Sequence, residues 1–136
     1  MVDCSASVAV GRHLSHELAG GTRSVSFFMN PAGTALIMLL ENADRTISLD
    51  TLEIQYYRLL TQRPELHNHL AADHKVLYSS TCRSKSSVYS QDNASIFAGI
   101  SSKVIKHISN RCDAAIMVWD WEDFSLTHYE ETAEKF

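Results

Sequence analysis

Ser24-Val25-Ser26-Phe27-Phe28-Met29-Asn30-Pro31-Ala32-Gly33-Thr34-Ala35-Leu36-Ile37-Met38-Leu39-Leu40-Glu41 is the stretch on which the reading of the fold turns. It holds two β-rich apolar runs, residues 24–29 and 34–41, separated by a proline and a glycine. Proline presets one turn dihedral and glycine tolerates the left-handed region, so the two runs predict a β-hairpin. Upstream, residues 2–5 resemble the end of a strand that feeds a helix, with Ser7 as its N-cap, Val8, Leu14 and Leu18 at roughly helical spacing, and Gly20-Gly21 closing it. Downstream, Asp50 and Glu53 have the spacing of a capping box that opens a helix through Leu52, Tyr56, Leu59 and Leu60. Pro64 suits the first turn of a second short helix ending near Ala72.

Beyond a polar loop over 79–87 comes the most strongly patterned helix. Ser90 is its expected cap, Ile96, Ile100, Val104 and Ile108 recur every fourth residue, and Phe97 and Ile105 widen the stripe. A second hairpin is expected from residues 114–119 and 124–129 around an acidic turn at 120–123, followed by a frayed, charged tail over 130–136. This order of elements predicts a single α/β domain, in which the first hairpin and residues 114–119 share one sheet and the long helix packs on its face.

Composition narrows the function classes. The 136 residues suffice for one core, and 45% are hydrophobic, as in a globular chain. Twelve basic residues against sixteen acidic ones give a net charge of −4, with no lysine or arginine stripe, so no nucleic-acid surface is expected. The apolar runs at 35–40 and 114–119 are too short to cross a bilayer. With three cysteines, at 4, 82 and 112, no C-x-x-C pair and no basic-then-apolar leader, the chain reads as a reduced cytoplasmic protein without a membrane partner.

One cysteine stands apart. Cys82 lies between small polar residues and is followed by Arg83 and Lys85, just ahead of the long helix. The two cations and a helix N-terminus favour thiolate over thiol, so Cys82 is the candidate nucleophile and Arg83 its neighbouring cation. The alternative is an ordinary free cysteine in a solvated loop. Cys4 and Cys112 are expected to be small buried hydrophobes. His13, His16 and Glu17 fall within one helical turn, and His67, His69 and His74 cluster near a helix end, but neither group has the H-E-x-x-H order or a cysteine partner. Solvated histidines and no metal site are expected. The Tyr56-Tyr57 pair, Trp119 and Trp121 fit core or interface aromatics.

The order strand, helix, hairpin, helices, loop, long helix, hairpin resembles the C-terminal half of the ThiF/MoeB/HesA adenylyltransferases, relatives of the ubiquitin-activating enzymes. Val2-Asp3-Cys4-Ser5-Ala6-Ser7 is similar to that family's "LDCTDN" strand end, residues 24–41 to its paired strands about a glycine-containing turn, and Thr81-Cys82-Arg83-Ser84 to its "NCRTAG" crossover segment. The likeness spans most of residues 2–130 and is weakest over 42–76, where the family often carries a zinc-binding C-x-x-C. It implies a partial Rossmann-like mixed sheet with packed helices, a ubiquitin-like or sulfur-carrier protein as partner, and Cys82 as a crossover-loop thiol accepting the activated carboxyl as a thioester or acyl-disulfide. A nucleotide-binding subunit and a homodimer are further partners that it leaves open.

The family's magnesium-binding aspartate corresponds to Ala6. Asp3 matches only the first aspartate of the motif, a structural position, and is the one candidate on the cofactor-binding side. The five glycines, at 11, 20, 21, 33 and 99, form no G-x-G-x-x-G and no Walker-type motif, so the chain by itself is expected to carry no cofactor and to be a poor adenylating enzyme. A non-catalytic protein-binding module derived from the same fold is the alternative.

Overall fold

The computed structural model describes residues 1–5, 7–16, 21–71, 76–78, 85–87 and 89–133. Its main sheet has five strands in the order β1 (Val2–Asp3), β2 (Val25–Met29), β3 (Ala35–Leu40), β6 (Ala115–Glu122) and β7 (Ser125–Thr132). β1 runs parallel to β2 and is joined to it through helix α1 (Val8–His16), while every later pairing in this sheet is antiparallel. The remaining elements are α2 (Leu49–Gln62), a 3-10 turn at Pro64–Leu66, a small two-stranded sheet of β4 (Val76–Tyr78) and β5 (Lys85–Ser87), and α3 (Gln91–Ile108). The expected mixed α/β fold is present, with the first hairpin and β6 in one sheet.

Alternation along the strands sorts side chains to two faces. Ala35, Ile37 and Leu39 of β3 and Ile116 and Val118 of β6 meet Leu52, Tyr56, Leu59 and Leu60 of α2. Leu36, Met38, Leu40, Ala115, Met117 and Trp119 point the other way, against Phe97 and Ile108 of α3. β3 is buried along its whole length because both faces are covered, and its continuous apolar run is the sequence mark of that position. In α3 only Phe97 and Ile108 are fully buried, while Ile96, Ile100, Val104 and Ile105 are half-covered. The seat of the helix is therefore Phe97 rather than the centre of the isoleucine stripe.

Two polar anchors hold this layering. Glu41 is fully buried at the end of β3. Its Oε2 accepts from Ser24 N–H at 3.0 Å and from Arg45 Nε at 3.0 Å, and its Oε1 accepts from Leu49 N–H at 3.2 Å. Arg23 donates to the backbone carbonyls of Glu41 and Arg111, to that of Ile108 at 3.4 Å and to that of Asp113 at 2.8 Å. Three carbonyls at the end of α3 and its connection to β6, and one at the end of β3, are thereby tied to the start of β2.

Several expected boundaries move. The cap of α2 is Ser48, whose hydroxyl accepts from Thr51 N–H, so Asp50 lies in the first turn, where its charge suits the helix dipole. After Pro64 a 3-10 turn forms in place of a second α-helix. Residues 85–87 of the expected polar loop belong to β5. The second hairpin is longer than its apolar pattern, with only Asp123 and Phe124 in the loop, and residues 130–132 of the expected tail are strand, secured by Ala133 N–H donating to the Ala114 carbonyl at 3.0 Å. Among the described residues no helix is long and apolar enough to cross a membrane.

Candidate functional site: a cleft at the carboxyl ends of β1 and β2

In an open α/β sheet, ligands settle beyond the carboxyl ends of the strands, where turns leave a crevice. The structure has such a crevice, a cavity of about 380 Å³ lined by Asp3 at the end of β1, Ser7 and Arg12 around α1, Met29 to Pro31 at the end of β2, and Asp50, Glu53, Tyr56 and Tyr57 of α2. Because β1 and β2 are parallel, both carboxyl ends open to the same side.

Each wall has a local cause. Asp3 is 7% exposed and its Oδ1 accepts from Ser5 N–H at 2.9 Å, which bends the chain from β1 towards α1. Asn30 is buried in the β2–β3 turn. Its Oδ1 accepts from Thr34 and Ala35 N–H, both at 2.9 Å, and its Nδ2 donates to the Thr34 hydroxyl at 3.1 Å and the His69 carbonyl at 3.0 Å. One amide thus closes the hairpin and ties it to the segment after α2. Gly33 holds φ +70, and a Cβ there would stand 2.3 Å from Cδ1 of Tyr89, another lining residue. Asn93 at the start of α3 donates to the Gly33 carbonyl at 3.0 Å.

Tyr56 forms the floor. Phe28 meets it edge-on with centroids 5.7 Å apart, Tyr57 lies 5.3 Å away and His69 5.9 Å away. Burial, with Tyr57 beside it, pushes the Tyr56 phenol above its ordinary range, so it stays protonated at neutral pH. His69 is buried with Nε2 unpartnered among the described residues, and burial holds its imidazole below the usual histidine value. At the rim His16 Nε2 lies 2.8 Å from Asp50 Oδ2, joining α1 to α2.

The result is an apolar, aromatic floor with charges at its mouth. Among the described residues, those lining the cleft include neither cysteine nor histidine, and no group of three metal-ligating side chains occurs. Those residues can hold a ligand between an aromatic floor and the carboxylates of Asp3, Asp50 and Glu53. No family model matches this chain, and no curated protein is significantly similar to it.

Of the residues singled out in the sequence, Asp3 is brought into the cleft. Cys82, Arg83, Ala6 and His74 lie outside the described residues. Cys4 and Cys112 are exposed free thiols, which corrects the expectation that they are buried: Cys4 follows the last residue of β1, and Cys112 occupies the connection between α3 and β6, and neither position faces a core. His16 and His67 are exposed as expected, whereas His69 is inside. The cleft roles of Asn30, Arg12 and Tyr57 were not read from the sequence. Asn30 had a usable signal, since asparagine ahead of Pro-Ala-Gly can close a turn with its own side chain.

Proposed function

We propose that this chain is the partner-binding portion of a ThiF-type activating-enzyme fold, and that the cleft receives the extended C-terminal tail of a ubiquitin-like or sulfur-carrier protein. The observation that carries the reading is the position of the cleft, at the carboxyl ends of a parallel strand pair beside the β1–α1 turn. The order of elements, one parallel pair and then antiparallel strands with a long helix before the last hairpin, agrees with the resemblance. A narrow floor of Phe28, Tyr56 and Leu39 suits a tail of small residues, and Arg12 offers a cation to its free carboxylate.

In this reading a nucleotide-binding subunit supplies the tail as an acyl adenylate. The Cys82 thiolate attacks the acyl carbon, the phosphate oxygen leaves with the bonding electrons as AMP, and a thioester remains. Arg83 favours the thiolate. A second reading, a binding module without chemistry, is favoured by the lack of a thiol or imidazole among the described residues of the cleft.

A peptide ending in Gly-Gly, offered first as the free acid and then as an alkyl thioester, separates the two. The activating reading expects shifts in the amide resonances of Asp3, Asn30 and Tyr57 with the free acid. With the thioester it expects an adduct that survives in Cys4→Ser and Cys112→Ser proteins and is lost in Cys82→Ser. Amide shifts without an adduct leave the binding module, and neither response removes both readings.

A further inference from the structure

The β6–β7 hairpin closes through Asp123 and Phe124 with φ 48 and φ 60. A two-residue loop of this hand is carried at least cost by asparagine, aspartate or glycine, and a bulky side chain there is strained. Phe124 meets that cost without compensation inside the chain, since it is 95% exposed. β3 pairs with β6 as far as Asp120, and Trp121 N–H still donates to the Thr34 carbonyl at 2.9 Å, so only the last pair, Glu122 with Ser125, overhangs the sheet. Leu126 is exposed as well. The tip is an apolar point flanked by Glu122 and Asp123.

A fitting recess lies on the α3 face. A cavity of about 610 Å³ is lined by Phe27, Met29 and Leu36 of the sheet and by Phe97, Ala98 and Ile105 of α3. Ala98, Ser101 and Ser102, all small, line its helix side. Lys106 borders it and has no acidic partner among the described residues.

We propose that the Phe124 tip of one copy of this chain docks in the α3 recess of a second copy, with Glu122 and Asp123 beside Lys106. An aromatic side chain has about 150–250 Å² to bury, and the recess offers it apolar walls and one matching charge. Tip and recess are different patches, so the contact is head-to-tail and each added copy presents a free tip or a free recess. Met29 borders both cavities, but the inference needs neither a ligand in the cleft nor Cys82, and it stands or falls apart from the proposed function.

Sedimentation equilibrium of the full chain over a range of concentrations tests it. The weight-average mass of the wild type is expected to rise above the monomer with concentration. Phe124→Asn, which suits the left-handed turn, and Ala98→Trp, which fills the recess from an exposed helix position, should each need at least tenfold more protein to associate. Mixed in equal amounts, these two variants are expected to form a dimer and stop there, since one intact tip meets one intact recess and the other ends are blocked. If Ala98→Trp disturbs the fold by circular dichroism, Lys106→Glu replaces it, with Asp123→Lys in the other copy restoring the contact. A wild type that stays monomeric throughout, a Phe124→Asn protein that associates like the wild type, or a mixture that remains monomeric overturns the proposal.

Discussion

Replacing Glu41 with glutamine changes one buried oxygen into an NH₂ group and tests the anchor at the end of β3. In the native protein two carboxylate oxygens accept three donors, Ser24 N–H, Leu49 N–H and Arg45 Nε. A glutamine has one acceptor oxygen. Turned towards Ser24 and Arg45, it sets its own NH₂ against the Leu49 N–H, and a buried donor left without an acceptor costs about 1–3 kcal/mol. The two surviving bonds become neutral-acceptor bonds, each weaker by about 1 kcal/mol. The sum is about 3–5 kcal/mol, a large share of the roughly 5–15 kcal/mol that separates folded from unfolded domains. At about 2.1 cal/mol/K of unfolding entropy per residue, a chain of this length should lose roughly 14 °C in Tm. Guanidinium unfolding followed by far-ultraviolet circular dichroism measures it, with an unchanged m-value as the sign that only stability moved. A loss below about 1 kcal/mol would refute the claim that this carboxylate is the acceptor joining β2, β3 and α2.

Gly33→Ala should cost more than about 1 kcal/mol, because the left-handed φ is strained for alanine and its Cβ strikes the Tyr89 ring, and adding Tyr89→Ala should return the part due to the clash, measured by urea unfolding of both proteins. His69 is held neutral by burial, so near and below about pH 6.5 the unfolded chain takes up a proton that the native protein refuses; stability is expected to fall as pH drops through that value, and His69→Gln to flatten the slope between pH 7.5 and 5.5. Phe97→Ala should lose about 3–5 kcal/mol and Ile54→Ala, on an exposed position of α2, less than about 0.5 kcal/mol, and equal losses in denaturant titrations would mean that α3 is not seated through Phe97.

The elements that the sequence disclosed are those whose pattern comes from neighbours a few residues away. The proline and glycine at 31 and 33 marked the first hairpin, and the unbroken apolar run behind them became a strand covered on both faces. The spacing of Leu52, Tyr56, Leu59 and Leu60 gave α2 its buried side. What stayed hidden depends on contacts between distant residues. Glu41 looked like the polar end of a strand and proved to be the acceptor for residues on both sides of it, while the paired carbonyl that fixes Asn30 belongs to His69. Asp50 and Glu53 matched a capping box by spacing, yet Ser48 two residues earlier closes the helix, since a cap is chosen by backbone geometry as well as by residue type. The cleft draws on α1, α2 and two strand ends at once; of its residues the sequence offers only Asp3 as a site candidate, while Ser7, Asp50, Glu53, Tyr56 and Tyr57 read as caps and core or interface aromatics.

The reach of Arg23 bears on how the chain can acquire its structure. Its donors meet carbonyls 18, 85, 88 and 90 residues further along. During synthesis the β2–β3 hairpin and α2 can form while the guanidinium still faces water, but its shell of acceptors is complete only when residue 113 has left the ribosome. Closing so long a span carries an entropic cost that local contacts do not repay, so this junction should be among the last to lock and should slow folding more than the helical content alone suggests. Once locked, it gives the end of α3 and the start of β2 one shared opening event, and hydrogen exchange at Ile108 to Asp113 and at Val25 should report a common free energy.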